Sequence, residues 1–189
     1  MILHLTPEQM LERWRLHRGL LPVTDNDSVT SAADTTLDTL LRAEIEEWYR
    51  RLLAEGPIDL NDPVEYADNV RLPATVAGEG VTLALPDEAV RLTAVRLLGW
   101  ECDARIIADP RSHEARMQLD PYTRATPSDP VAVLRPGGFV TLYPSTGDNI
   151  LETLRCTARH DDLYHFDEAA MGIGNGVFKI GNWEWGIGN

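Results

Sequence analysis

Val131-Ala-Val-Leu-Arg-Pro-Gly-Gly-Phe-Val-Thr-Leu-Tyr143 holds two runs rich in β-branched and aromatic side chains, separated by Pro136-Gly137-Gly138. Runs of this composition around a short glycine-containing turn form a β-hairpin, because glycine reaches the left-handed backbone conformations the reversal needs. The stretch predicts strands at 131–135 and 139–143. The same texture, short apolar runs between Pro, Gly and Asp clusters, extends from Pro57 and predicts further strands at 70–76, 81–85, 90–98, 104–108 and 150–157. Residues 86–98 also fit a short helix, since Pro86 followed by Asp87 and Glu88 suits a helix start.

Before Pro57 the apolar period changes from two to 3.6. Leu37, Leu40, Leu41, Ile45, Trp48, Tyr49, Leu52 and Leu53 recur at three- and four-residue steps, predicting an amphipathic helix over 34–55, about 30 Å long, ended by Gly56 and Pro57. A first helix over 7–18 begins at a capping box, Thr6 with Gln9, with Pro7 at its first position and Leu5 placed to staple onto Met10. The fold class is therefore α+β: N-terminal amphipathic helices, then a mostly antiparallel β domain. The expected division is a helical region 1–56, a β-rich domain 57–171 and a Gly/Trp-rich arm 172–189. The expected core includes Leu37, Leu41, Ile45, Trp48, Leu52, Val95, Leu97, Trp100, Val133 and Leu142.

The 189 residues suit one core or one domain with a helical arm, and 43% hydrophobic with 25% charged residues is a globular composition. A formal charge of −13 repels phosphate backbones, which argues against sequence-specific nucleic-acid binding. No window of 18 apolar residues occurs and Met1 to Leu5 lacks the flanks of a signal peptide, so cytoplasmic synthesis and no membrane partner are expected. Cys102 and Cys156 stand alone in apolar contexts and read as buried free thiols. In the tail, Ile-Gly-Asn recurs at Ile173, Ile180 and Ile187, and the intervening glycines favour extended segments at 177–180 and 183–185 over a helix. Trp183 and Trp185 there either pack on their own domain or add to a neighbour's sheet.

The densest set of metal-ligating side-chain types is Arg159-His-Asp-Asp-Leu-Tyr-His-Phe-Asp-Glu168, from which His160, Asp162, His165 and Asp167 are the candidate ligands. The two histidines are five apart, so they do not share a helix face as in HExxH, and an acidic surface turn explains the run as well. Residues 109–130 form a loop with four prolines and no periodicity, a length that in compact domains marks function or disorder. Ser112-His113 lies in it, without a nucleophile elbow, and the tail glycines miss the dinucleotide-binding spacing. No residue is assigned a catalytic role and no cofactor is expected.

Leu85-Pro86-Asp87-Glu88, Arg91-Leu92, Trp100, Gln118, Arg124-Ala125-Thr126-Pro127 and Pro130-Val131-Ala132 together resemble a pattern of the head-to-tail adaptor or ring proteins of tailed bacteriophages, including those of gut Bacteroidetes phages. The resemblance spans residues 85–143, and Ala125 stands where the pattern has Gly. It implies a structural, non-catalytic subunit of a homo-oligomeric ring in the virion, contacting portal and tail proteins. Arg124, Thr126, Trp183 and Trp185 are the expected interaction residues. The alternative is a small α+β metal-binding enzyme or ligand-binding domain using the His160 to Glu168 cluster.

Overall fold

The computed structural model describes residues 1–20, 32–67, 69–76, 79–160, 163–172, 179–180 and 183–184. Along the chain these form β1 (Ile2–Leu5), α1 (Pro7–His17), α2 (Ala32–Glu55), a 3-10 turn (Ile58–Leu60), β2 (Val64–Glu65), β3 (Val70–Arg71), β4 (Val81–Ala84), β5 (Ala89–Leu97) and β6 (Arg105–Ile107). Then follow α3 (His113–Met117), β7 (Val131–Arg135), β8 (Phe139–Tyr143), β9 (Ile150–Ala158), β10 (Tyr164–Asp167), α4 (Ala169–Gly172), β11 (Lys179–Ile180) and β12 (Trp183–Glu184). The class is α+β with mostly antiparallel sheets. Two compact units divide the chain: Met1–Asp62 with Arg159–Asn189, and Pro63–Ala158.

In the first unit, the capping box at Thr6 and Gln9 starts α1 as its spacing predicts. Met10, Leu11 and Trp14 of α1 share a core with Leu41, Ile45, Tyr49, Leu52 and Leu53 of α2, and Trp14 meets Trp48 with ring centroids 5.3 Å apart. Ion pairs Arg15–Asp38 and Arg18–Glu44 rim this contact. Leu37 differs from expectation: it is 37% exposed, because the shared core begins one turn later, at Leu41. The antiparallel ribbon β1–β10 completes the unit by turning Leu3, Tyr164 and Phe166 into the same core. The boundaries drawn from the sequence thus differ from those of the structure. The helical unit runs to Asp62, and the chain returns to it at Arg159, since alternation in β10 gives it an apolar face that fits α2.

In the second unit, β9 pairs with β2 and β3 along one edge and with β5 along the other. A second sheet runs β4-β8-β7-β6, with β6 and β7 parallel. One core joins their apolar faces, through Val81, Leu83, Val140 and Leu142 from one sheet and Leu92, Val95, Leu97, Leu151, Leu154 and Cys156 from the other. The β7–β8 hairpin turns through Gly137 and Gly138, at φ +81° and +76°, where a side chain would be strained. Within residues 86–98 the strand β5 forms rather than a helix, because Leu92, Val95 and Leu97 face that core. Expected strand 70–76 shortens to β3, and 104–108 to β6. Cys156 is buried, but Cys102 is exposed, its thiol 3.6 Å from the Ser128 carbonyl.

Residues 109–130, expected as a loop, contain α3. Ser112 caps it by accepting from the Ala115 N–H at 3.1 Å, and Ala115 is buried against Ile107, Val131, Val133 and Tyr143, with half-buried Ala125 packed on the same cluster. The loop therefore covers the outer face of the β6–β7 edge.

Candidate functional site

Two groups of side chains stand out, one in each unit. In the first unit, period-2 alternation puts Leu3 inward and His4 outward on β1, and Tyr164 and Phe166 inward with His165 outward on β10. The antiparallel register then sets His4 opposite His165. Their Nδ1 atoms are 2.8 Å apart and the rings meet edge to face, centroids 4.3 Å apart. Tyr49, from α2, fastens the strand at this point: its hydroxyl accepts from the His165 N–H at 3.1 Å and donates to the His165 carbonyl at 3.4 Å.

Asp62 arrives by a separate route. Asn61 donates to the Leu52 and Pro57 carbonyls, closing the end of α2, and bridges Phe166. That leaves Asp62 with Oδ2 4.0 Å from His165 Nδ1. His160 is drawn in by its bridge to Leu163, and its ring lies 4.4 Å from that of His165 at 31°. Burial lowers the His165 pKa, and His160 and His4 lower it further against a smaller opposing pull from Asp62, so the imidazole is held neutral below its ordinary titration range. Among the described residues, the buried His165 Nε2 has no hydrogen-bond partner.

Of the four ligands expected from the sequence, the structure brings His160 and His165 together. Asp167 faces elsewhere: opposite Ile2, its Oδ2 accepts from the Met1 amine at 2.7 Å and its Oδ1 from the Ala169 N–H at 2.8 Å. Asp162 lies outside the described residues. His4 and Asp62 are members that sequence reasoning missed. The signal for His4 was the alternation Ile2-Leu-His-Leu5, which reads as an apolar patch until its partner strand is known.

Beside the cluster, His160 lines a small surface cleft with Glu46, Tyr49, Arg159 and Tyr164. Glu46 accepts from the Tyr164 hydroxyl and from Arg159, each at 2.5 Å. Burial raises the Tyr164 pKa and the Glu46 carboxylate adds to it, so the phenol stays protonated as a donor.

In the second unit, the 109–130 loop is tied by its own groups. Gln118 donates to the Glu114 carbonyl and accepts from the Ala125 N–H, Thr123 donates to the Met117 carbonyl, and Asp120 accepts from the Tyr122 N–H. Arg105 pairs with Glu114 at 2.7 Å. Thr126 is exposed and hydrogen-bonded to Ser128, while Arg124 is half-buried with its N–H on the Asp120 carbonyl. Between them and α3 the loop holds Leu119 at 73% and Tyr122 at 97% exposure. Trp183 lies on β12, whose backbone pairs antiparallel with β11, and Trp185 lies outside the described residues.

Among the described residues no helix is long and apolar enough to cross a membrane. No protein-family model matches the chain, and no curated protein sequence matches it.

Proposed function

We propose that the chain is a structural subunit of a multiprotein assembly, of the kind that forms the ring between portal and tail in tailed bacteriophages, and that the 109–130 loop is one of its contact surfaces. The observation that supports this is a loop fastened by its own hydrogen bonds that still holds Leu119 and Tyr122 in solvent. A pre-ordered loop loses little entropy on docking, and tyrosine is among the side chains enriched in binding hot spots. Arg124 and Thr126, at the C-terminal end of the same loop, lie within the stretch that resembles the adaptor pattern. The net charge of −13 keeps such a ring from gripping DNA that passes it.

The order of the neighbouring genes tests this reading. Reading frames for portal, capsid and terminase proteins beside this gene support it, and metabolic or regulatory neighbours overturn it.

A further inference from the structure

We propose that His4, Asp62 and His165 form a binding site for one divalent metal ion of the zinc class, His4 and His165 through Nδ1 and Asp62 through a carboxylate oxygen. The three donor atoms lie within 4.8 Å of one another. Two imidazoles with one carboxylate are a donor set that zinc and iron(II) accept, with a further position left for water.

The geometry of the histidine pair carries the proposal. Two Nδ1 atoms 2.8 Å apart on adjacent strands hold one hydrogen between them, and a cation could take that hydrogen's place between the two lone pairs. With a proton between them, one ring donates to the other. A tetrahedral ion with metal–nitrogen bonds of about 2.0–2.1 Å sets its nitrogens about 3.3 Å apart, so the rings need to spread by only about half an ångström. The same ion would draw Asp62 Oδ2 inward from its present 4.0 Å to His165 Nδ1. His4 is exposed and can carry its proton on the solvent side as it turns its lone pair to the metal. The His165 backbone is clamped by Tyr49 and its ring is flanked by His160, so one ligand is fixed before any ion arrives.

The elements holding the donors give the ion a task. β1 and β10 are joined near this point by four Cα register pairs from opposite ends of the chain, and Asp62 follows the residue that closes α2. An ion there ties three separate segments of the first unit together, and bound metal stabilises the folded state by mass action. His160 is not a member of the donor set; it is a positioning residue for the His165 ring.

The test uses the full chain without an affinity tag, because added histidines would bind metal and an N-terminal extension would displace the Met1 amine from Asp167. After chelation and removal of the chelator, Zn²⁺ affinity is measured by competition with a chromophoric chelator, and Co²⁺ is added separately to read its visible absorption. The expected result is one Zn²⁺ per chain, the absorption of low-symmetry Co²⁺, and a rise in thermal midpoint with Zn²⁺. His4→Gln, Asp62→Asn and His165→Gln should each weaken binding by about 100-fold, the upper end of what even outer-shell changes produce. Asp167→Asn and His113→Gln should leave it unchanged. Substoichiometric binding, or affinity unaltered in His4→Gln, would overturn the proposal. His4 is exposed, so that variant decides the matter even if His165→Gln fails to fold.

Discussion

His4 and His165 are 161 positions apart in sequence and face one another across the β1–β10 register with 2.8 Å between their Nδ1 atoms. The contact depends on alternation in two four-residue strands, and alternation in turn depends on what the opposite face buries. Phe166, fully buried, is the anchor of that face: Trp48 meets it edge to face at 5.2 Å, and Tyr49 lies 6.5 Å away. Phe166→Ala should cost the first unit about 3–5 kcal/mol, and in denaturant titrations the helical signal should be lost at a lower midpoint. An unchanged midpoint would mean that the ribbon does not share the core of the helices.

The 109–130 loop makes a pair of opposite predictions. Ser112→Ala removes the cap of α3 and should destabilise the loop by about 1 kcal/mol, read as faster amide exchange in residues 113–118. Leu119→Ser with Tyr122→Ser removes only exposed apolar surface, and should leave thermal stability within about 0.5 kcal/mol of the parent. A large loss in the double variant would show that these side chains serve the fold rather than a partner.

Glu65 sets a pH dependence in the second unit. Burial alone would raise its carboxyl, but the Leu154 N–H at 2.7 Å, the Arg155 guanidinium at 2.9 Å and the Ala67 N–H outweigh that and hold it below the ordinary carboxylate range. A depressed folded-state pKa contributes stability above the unfolded value and loses it as pH falls through the folded one. The second unit should therefore weaken on acidification below about pH 4.3, and Glu65→Gln should be less stable at neutral pH with a flatter acid limb. Parallel acid limbs for the two proteins would refute the assignment.

The two thiols should separate cleanly. Burial, with Glu65 nearby, pushes the Cys156 thiol up to about 11, whereas Cys102 is exposed. Alkylation of native protein near neutral pH, followed by peptide mass spectrometry, should modify Cys102 promptly and Cys156 only after unfolding. Equal rates would place Cys156 outside the core.

Local signals made some of this architecture legible in the sequence and left the rest hidden. The capping box at Thr6 and Gln9, the three- and four-residue steps from Leu41 to Leu53, and the Pro136-Gly137-Gly138 turn are complete within a few residues, and each structure they encode is present. The parallel pairing of β6 with β7 depends on an intervening loop whose helix, five residues long, is too short for periodicity to declare. The histidine cluster was half visible. His160 and His165 stand close in sequence, but His4 and Asp62 reach them only through a strand register and the closure of α2, neither of which a linear pattern encodes. Asp167 looked like a ligand by proximity and is committed instead to the chain's own amino terminus.

The measurement that bears most directly on the proposed role is co-purification. The chain is expressed together with the portal-like and tail-like products encoded beside its gene, and the captured complexes are imaged by electron microscopy. The expected result is a ring containing many copies of the chain, formed by the parent and lost in the folded Leu119→Ser, Tyr122→Ser variant. A chain that binds none of these products, or rings that form equally well with both loop side chains removed, would contradict it.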